Sequence, residues 1–392
     1  MIAKFYTYRI FSRLYFHVIV IFMYFTALEY GLVRTILLIA AYGFSITIAS
    51  GIVRYNAQFL SAKGMVLTGE FAKLAGIVLL VLGTQQTSVS FWVPLVGQIL
   101  GGVGFCYSIS SDIGLLSQSN SEITQEEFAR VQSKSQSLMF IATMASGLAG
   151  AILYNYQYQW PFLATLVTNV VAILTVLSFP STSTRSQTRR NVSTDHSTPP
   201  ILSGSVKFWM TYYVVGRIAT LAPFIGFLPF FFIQLQPDPY TFGTVLSFFS
   251  LAAFVSAYYA NQLDRFLGSN GYYWLNVMVM LCGMILFTLC EWIAEYHRDP
   301  FPVACVATLL IGFGSGCIRP LSMSKLQLSD KPAHERTYVL STMEKKFGLF
   351  NSIVLIVGGA LIYIGSFSVV MLVLTTLYFL TSIFRNVALT EE

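Results

Sequence analysis

Charge is what this sequence has least of: 10% of its residues are Asp, Glu, Lys or Arg, against 55% hydrophobic. A soluble domain carries about 25% charged residues, so the chain cannot clothe itself in a hydrated surface, and lipid must cover most of it. Cysteine is sparse too. Cys106, Cys282, Cys290, Cys305 and Cys317 occur singly, with no Cys-x-x-Cys pair and no Cys/His cluster at ligand spacing, which argues against a disulfide framework or a zinc site. The four histidines (His17, His196, His297, His334) are scattered, and no paired carboxylates recur on one face. A membrane-embedded acyl- or glycosyltransferase is therefore disfavoured. There is no GxxxxGK[ST] loop to hold ATP, and no filter-like repeat or charged ring of the kind a channel uses. The net charge of +6 lies in short loops, where it reports topology rather than affinity for nucleic acid.

What the sequence has is long apolar runs. A hydrocarbon core of about 30 Å needs about 20 apolar residues per helix. Spans of that kind are expected at 11–28, 35–53, 65–84, 92–117, 132–153, 161–180, 206–235, 241–262, 272–294, 302–322, 338–363 and 366–385. One polar stretch, STSTRSQTRRNVSTDHSTPP, interrupts them. The expected organisation is a six-helix bundle over 1–180, a flexible tether over 181–205 and a second six-helix bundle over 206–392. With the N-terminus inside, sixteen Lys and Arg, among them Arg9, Arg13, Arg54, Arg130 and Lys207, fall in cytoplasmic segments and two, Arg34 and Arg298, on the other side. The positive-inside rule then puts both termini and the tether in the cytoplasm. All five tryptophans fall near predicted span ends, as interfacial anchors do.

The two halves echo each other. GGVGFCYSISSDIGLL (101–116) and IGFGSGCIRPLSMSKL (311–326) each set close glycines before serines at the cytoplasmic end of a span. Parallel repeats related by an axis along the membrane normal produce this pattern, with a solute site between them near mid-bilayer. With the 6+6 layout, the central tether and the tetrapeptide Leu263-Asp264-Arg265-Phe266, the chain resembles the major facilitator superfamily over essentially its whole length. Asp264 and Arg265 match the core of that family's Gly-x-x-x-Asp-Arg loop signature, and Ser108–Leu116 is similar to a stretch of bacterial efflux-type members. The chain departs from the pattern in three places. The loop after span two has no Asp-Arg, Gln98 stands where proton-coupled drug antiporters place arginine, and no proline follows Gly147 and Gly150. The resemblance implies an all-α integral membrane fold of two pseudo-symmetric six-helix bundles in a bacterial cytoplasmic membrane.

Intramembrane charges mark candidate sites because they are costly in lipid and face a cavity or a partner. At 1.5 Å per residue, Arg217 sits roughly 16 Å into span seven, a cavity-lining helix in the resembled fold. It is the first candidate for an anionic substrate group or a counter-carboxylate. Glu344, Lys345 and Lys346 are consecutive, so at ~100° per residue at least one points inward. A cavity-facing Lys345 or Lys346 would attract anions, and snorkelling to the headgroups is the alternative. Tyr24, Tyr107 and Tyr213 are candidate aromatic lining. Asp112 and Arg319, near cytoplasmic ends, are expected in gating, with Asp112 bridging to Lys345 or Lys346, and Asp264 and Arg265 join them through the loop signature. Pro223 and Pro229 remove helical donors and suit a bending external gate beside Phe230, Phe231 and Phe232. Glu70 and Lys73 share a helix face and are expected to neutralise each other. His17 and Glu29 are proton-carrier candidates of lesser weight.

The expected function is secondary active transport of a small organic solute by alternating access, acting as a monomer in the lipid bilayer. No cofactor is expected beyond a proton or other ion gradient. The efflux resemblance favours export, and the buried basic residues favour an anionic or siderophore-like compound, or a drug. Uptake of a metabolite is the alternative.

Overall fold

The structure, a computed structural model, describes residues 1–83, 90–119, 124–180, 203–235, 239–296, 299–326, 333–364 and 366–384. Within them every regular element is helical. In the first half these are α1 (Ile2–Phe11), α2 (Ile21–Ala27), α3 (Gly31–Asn56), α4 (Ala62–Leu82), α5 (Trp92–Ser119), α6 (Gln125–Tyr156) and α7 (Trp160–Leu177). The second half has α8 (Gly204–Ala222), a π-helical turn (Pro223–Phe227), α9 (Leu228–Leu235), α10 (Pro239–Tyr258), α11 (Ala260–Glu295), α12 (Phe301–Lys325), α13 (Ala333–Ile364) and α14 (Phe367–Ile383). Among the described residues nine helices are long and apolar enough to cross a bilayer, and Phe367–Ile383 is a shorter apolar one. The expected first span is interrupted, and the seventh is helical throughout with a π-helical turn inside it. The tether lies outside the described residues except for Ser203–Ser205, where the Ser203 hydroxyl caps α8 by accepting from the Val206 N–H.

The expected helix over 11–28 is not continuous. Chain 12–20 is irregular between α1 and α2, and helical structure begins at Ile2 rather than at residue 11. Backbone of this kind is tolerated at membrane depth only where protein or a polar cavity covers it. Here Thr168 Oγ1 donates to the Leu14 carbonyl at 3.1 Å, and Gly150 on α6 lets that helix pack directly on the Phe16 carbonyl, in space a Cβ would fill. Lys4 donates to the Ser178 carbonyl at 2.9 Å and Lys63 to the Leu177 carbonyl at 2.8 Å. Both ammonium groups thus serve orphan carbonyls at the C-terminus of α7.

Span seven carries a π-helical turn at the first of its prolines. Pro223 opens a π-turn, a bulge that absorbs the missing donor while the helix continues. Phe224 packs on Phe249 at 4.5 Å, and Phe231 stacks on Phe367 at 4.7 Å. The Phe230 side chain is outside the described set.

Two seams join the halves. Along α3 and α13, Ser352 Oγ donates to the Ala40 carbonyl at 2.8 Å, and Thr47 Oγ1 donates to the Lys345 carbonyl at 3.3 Å. Along α6 and α10, Ser133 Oγ donates to the Ala257 carbonyl at 2.6 Å. Small residues bring these backbones close, the device that stands in for hydrophobic attraction inside lipid. Exposed Trp92, Trp160 and Trp292 suit interfacial anchors. Trp209 corrects that expectation. It is buried in a cluster with Phe208, Tyr212 and Tyr273.

Candidate functional site

The charged side chains of the interior form three groups. The first belongs to the first half alone. Glu70 Oε1 accepts from Lys73 at 2.6 Å, from Tyr8 at 3.0 Å and from Ser108 at 2.9 Å, while Oε2 accepts from Asn169 at 2.7 Å. With Glu70 fully buried and both its oxygens served, the pair expected from the i,i+3 spacing holds α1, α4, α5 and α7 together. The second half repeats the motif without charge: Asn276 on α11 donates to the Tyr212 hydroxyl at 2.6 Å.

The second group spans both halves. Asp112 on α5 binds Arg9 of α1 through Oδ2, and Arg319 of α12 reaches the same oxygen at 3.5 Å. Gln136 on α6 accepts from Arg9 at 3.5 Å. The structure therefore brings the candidates Asp112 and Arg319 together across the two halves. The expected partners of Asp112 were Lys345 and Lys346, and this is corrected: both are exposed. Arg9, read from the sequence as a loop cation, is buried at 1% exposure, because the first helix starts nine residues earlier than its hydropathy suggests.

The third group is central. Arg217 on α8 donates to Glu344 Oε1 on α13 at 2.6 Å. Its guanidinium lies 3.9 Å from the centroid of Phe347, 5.1 Å from Tyr213 and 5.9 Å from Phe105. Phe105 belongs to α5 of the first half, so the pair sits where the halves face each other. The inward member of the 344–346 triplet is Glu344, and Lys345 and Lys346 project outward, correcting their expected place in the cavity. A helix can aim one of three consecutive residues at a neighbour, and the Arg217 charge selects the carboxylate.

The other sequence candidates go elsewhere. Tyr24 faces away from the second half, its hydroxyl donating to the Leu80 carbonyl at 2.7 Å and its ring 4.4 Å from Phe162. Tyr107 accepts from Asn56 at 2.5 Å. Asp264 and Arg265 lie at the start of α11, just before Gly268, whose φ of 68° breaks the helix there. His17 pairs with Thr165 Oγ1 at 3.1 Å, and exposed Glu29, at φ 60°, forms the turn into α3.

Sequence reasoning missed Arg13. It sits in the irregular 12–20 segment, 8% exposed, with its guanidinium 4.7 Å from the Phe105 centroid on the ring that Arg217 also approaches. Among the described residues it makes no side-chain hydrogen bond or ion pair, and its Nε lacks an acceptor. One signal was available: Tyr8 precedes Arg13 by five residues, as Tyr212 precedes Arg217. Of the interior charges described, Arg9, Arg13, Lys73, Arg217 and Arg319 stand against Asp112, Glu70 and Glu344. The core is short of negative charge. Two clefts open on the lipid-facing periphery, one lined by Lys4, Val171 and Ser178 and one by Leu289, Trp292 and Tyr296, both remote from this layer.

Long apolar helices around a charged, inward-facing layer define a multi-pass integral membrane protein. A family model of the Major Facilitator Superfamily matches residues 9–343, and the chain belongs to that family of membrane transporters. No curated protein matches the chain.

Proposed function

We propose that this transporter moves a small organic anion by alternating access, driven by an ion gradient or by the solute's own gradient, and acts as a monomer without a bound cofactor. The observation that carries this reading is the Arg217–Glu344 pair facing Phe105 across the halves, inside a core with more cations than carboxylates. An anionic group competing with Glu344 for Arg217 gives the solute differential affinity for one arrangement of the halves, which any ligand-driven shift requires. The Arg319–Asp112 contact is placed to close the cytoplasmic side and to part when that side opens. Phe231 and Phe232 on the far side of the π-turn suit the opposing gate.

Export is the favoured direction, on the likeness of Ser108–Leu116 to efflux-type members, and siderophore-like carboxylates or an anionic drug are the solutes of that kind. The membrane is a bacterial cytoplasmic membrane, with both termini inside. With Arg9 and Arg13 moved from loop to core, the remaining loop cations still lie overwhelmingly on one side.

The test is flux in proteoliposomes of purified protein. Citrate and a catecholate siderophore are offered on either face, with and without a proton gradient, and Arg217→Ala serves as control. Anion flux lost in the variant supports the reading. Flux of neither anion, or anion flux that Arg217→Ala leaves intact, overturns it. Inward flux alone would reassign the protein to uptake.

A further inference from the structure

We infer that Arg13 is the first half's share of a two-arginine anion site, and that the bound solute supplies the counter-charge this arginine lacks. The inference rests on the transport reading above and deepens it by naming the group that receives the anion.

Three independent observations converge. The first is the missing partner. A buried guanidinium with no carboxylate at ion-pair distance is costly. Asp112 acts on Arg13 only through space, whereas the other interior cations each have a direct partner: Arg9 and Arg319 share Asp112, Lys73 has Glu70, and Arg217 has Glu344. The second is symmetry. Tyr8 and Tyr212 both hydrogen-bond a buried polar residue in their own half, Glu70 on α4 or Asn276 on α11. Arg13 and Arg217 follow them at equal spacing and meet over one ring, Phe105. The third is the backbone. Arg13 rides on the break in the first span, nine residues beyond Lys4, the residue that binds the C-terminal end of α7. That is about 14 Å at helical rise, close to mid-bilayer in a core of about 30 Å. Interrupted helices at that depth are where transporters bind solutes.

The two halves are not equivalent in charge. Arg217 is neutralised within its own half, whereas Arg13 is not. An anion bridging them satisfies Arg13 outright and relieves the repulsion between two cations over one ring. A planar carboxylate or a phosphate group fits this chemistry, since the guanidinium fork binds either in bidentate fashion.

The test uses full-length protein in phosphatidylcholine nanodiscs, so that no anionic lipid headgroup is present, with thermal unfolding as readout and acetate, inorganic phosphate and citrate as probes. Without added anion, Arg13→Met is expected to melt about 2 °C or more above wild type, because an unpaired buried charge is removed. At least one probe is expected to stabilise wild type and to bind Arg13→Met at least about tenfold more weakly. Arg13→Lys, which keeps the charge but loses the planar fork, is expected to fold normally and bind that probe with intermediate affinity.

A probe response that Arg13→Met or Arg13→Lys retains at wild-type strength overturns the assignment of Arg13 alone and leaves the transport reading standing. Arg13→Met melting below wild type shows a structural arginine and also overturns the assignment. Wild type that responds to none of the three anions overturns the anion site and the anionic-solute reading together.

Discussion

Asp112 of the first half and Arg319 of the second meet at 3.5 Å, through the carboxylate oxygen that also binds Arg9. One acidic residue thus balances two buried arginines, only one of which belongs to its own half. The contact within the half is the closer of the two, so the contact between halves is the weaker one.

A rank order follows for stability. Asp112→Asn strands two guanidinium groups and should cost about 3–5 kcal/mol, the scale for breaking a buried pair. Arg319→Gln removes only the longer contact and leaves Asp112 with Arg9, so its cost should be the smaller. Thermal unfolding of the detergent-purified variants measures both. Equal losses would mean that the contact between halves carries as much as the one within the half.

Arg217 and Glu344 should behave as one unit. Arg217→Gln and Glu344→Gln should each destabilise by roughly 3–5 kcal/mol, since each leaves a charge unpaired in the interior. The double variant should recover part of that loss, with a coupling energy of about 0.5–3 kcal/mol in a double-mutant cycle. Arg217→Lys should not substitute, because the guanidinium plane lies over Phe347 at 3.9 Å and an ammonium group does not stack. Additive effects of the two single changes would show that the pair is not coupled.

Lys345 and Lys346 project from the exposed face of α13. Replacing either with alanine should leave flux within about twofold of wild type, as surface substitutions change free energies by about 0.5 kcal/mol or less. A tenfold loss of transport in either variant would place that lysine in the solute path after all.

The seam between α3 and α13 depends on Gly348. A Cβ there would sit 2.8 Å from Thr47 Oγ1 and 3.0 Å from the Ile46 Cβ, so Gly348→Ala must push the two helices apart. The expected cost is about 1–3 kcal/mol, with transport reduced because this seam joins the halves. Gly51, on the same helix as Thr47, meets nothing within 4 Å. Gly51→Ala should be neutral or stabilising by up to about 1 kcal/mol, and comparison of the two melting temperatures checks the claim.

Much of the architecture was legible without coordinates because lipid imposes a simple rule. Apolar runs of membrane length must be helices, since no water is present to satisfy a free backbone. Even so, hydropathy misplaced the first helix: it weighs Arg9 and Arg13 as loop residues and cannot see that Asp112 and Phe105 await them. The central site was half legible. Arg217 and Tyr213 stood out as a buried charge and a neighbouring ring, and they do meet. Tyr24 and Tyr107 looked no different in sequence, and they serve packing and an Asn56 contact instead.

By itself, then, the sequence determined the helical class and most of the membrane-length apolar runs, because apolar length and the scarcity of charge are local properties. Partner choice was decided by the tertiary structure alone. Which of Glu344, Lys345 and Lys346 turns inward, and which of Arg13 and Arg217 finds a carboxylate, depends on what a neighbouring helix presents across the gap. Residues separated by more than a hundred positions, such as Arg217 and Glu344, share no local pattern, and only packing brings their charges to hydrogen-bond distance.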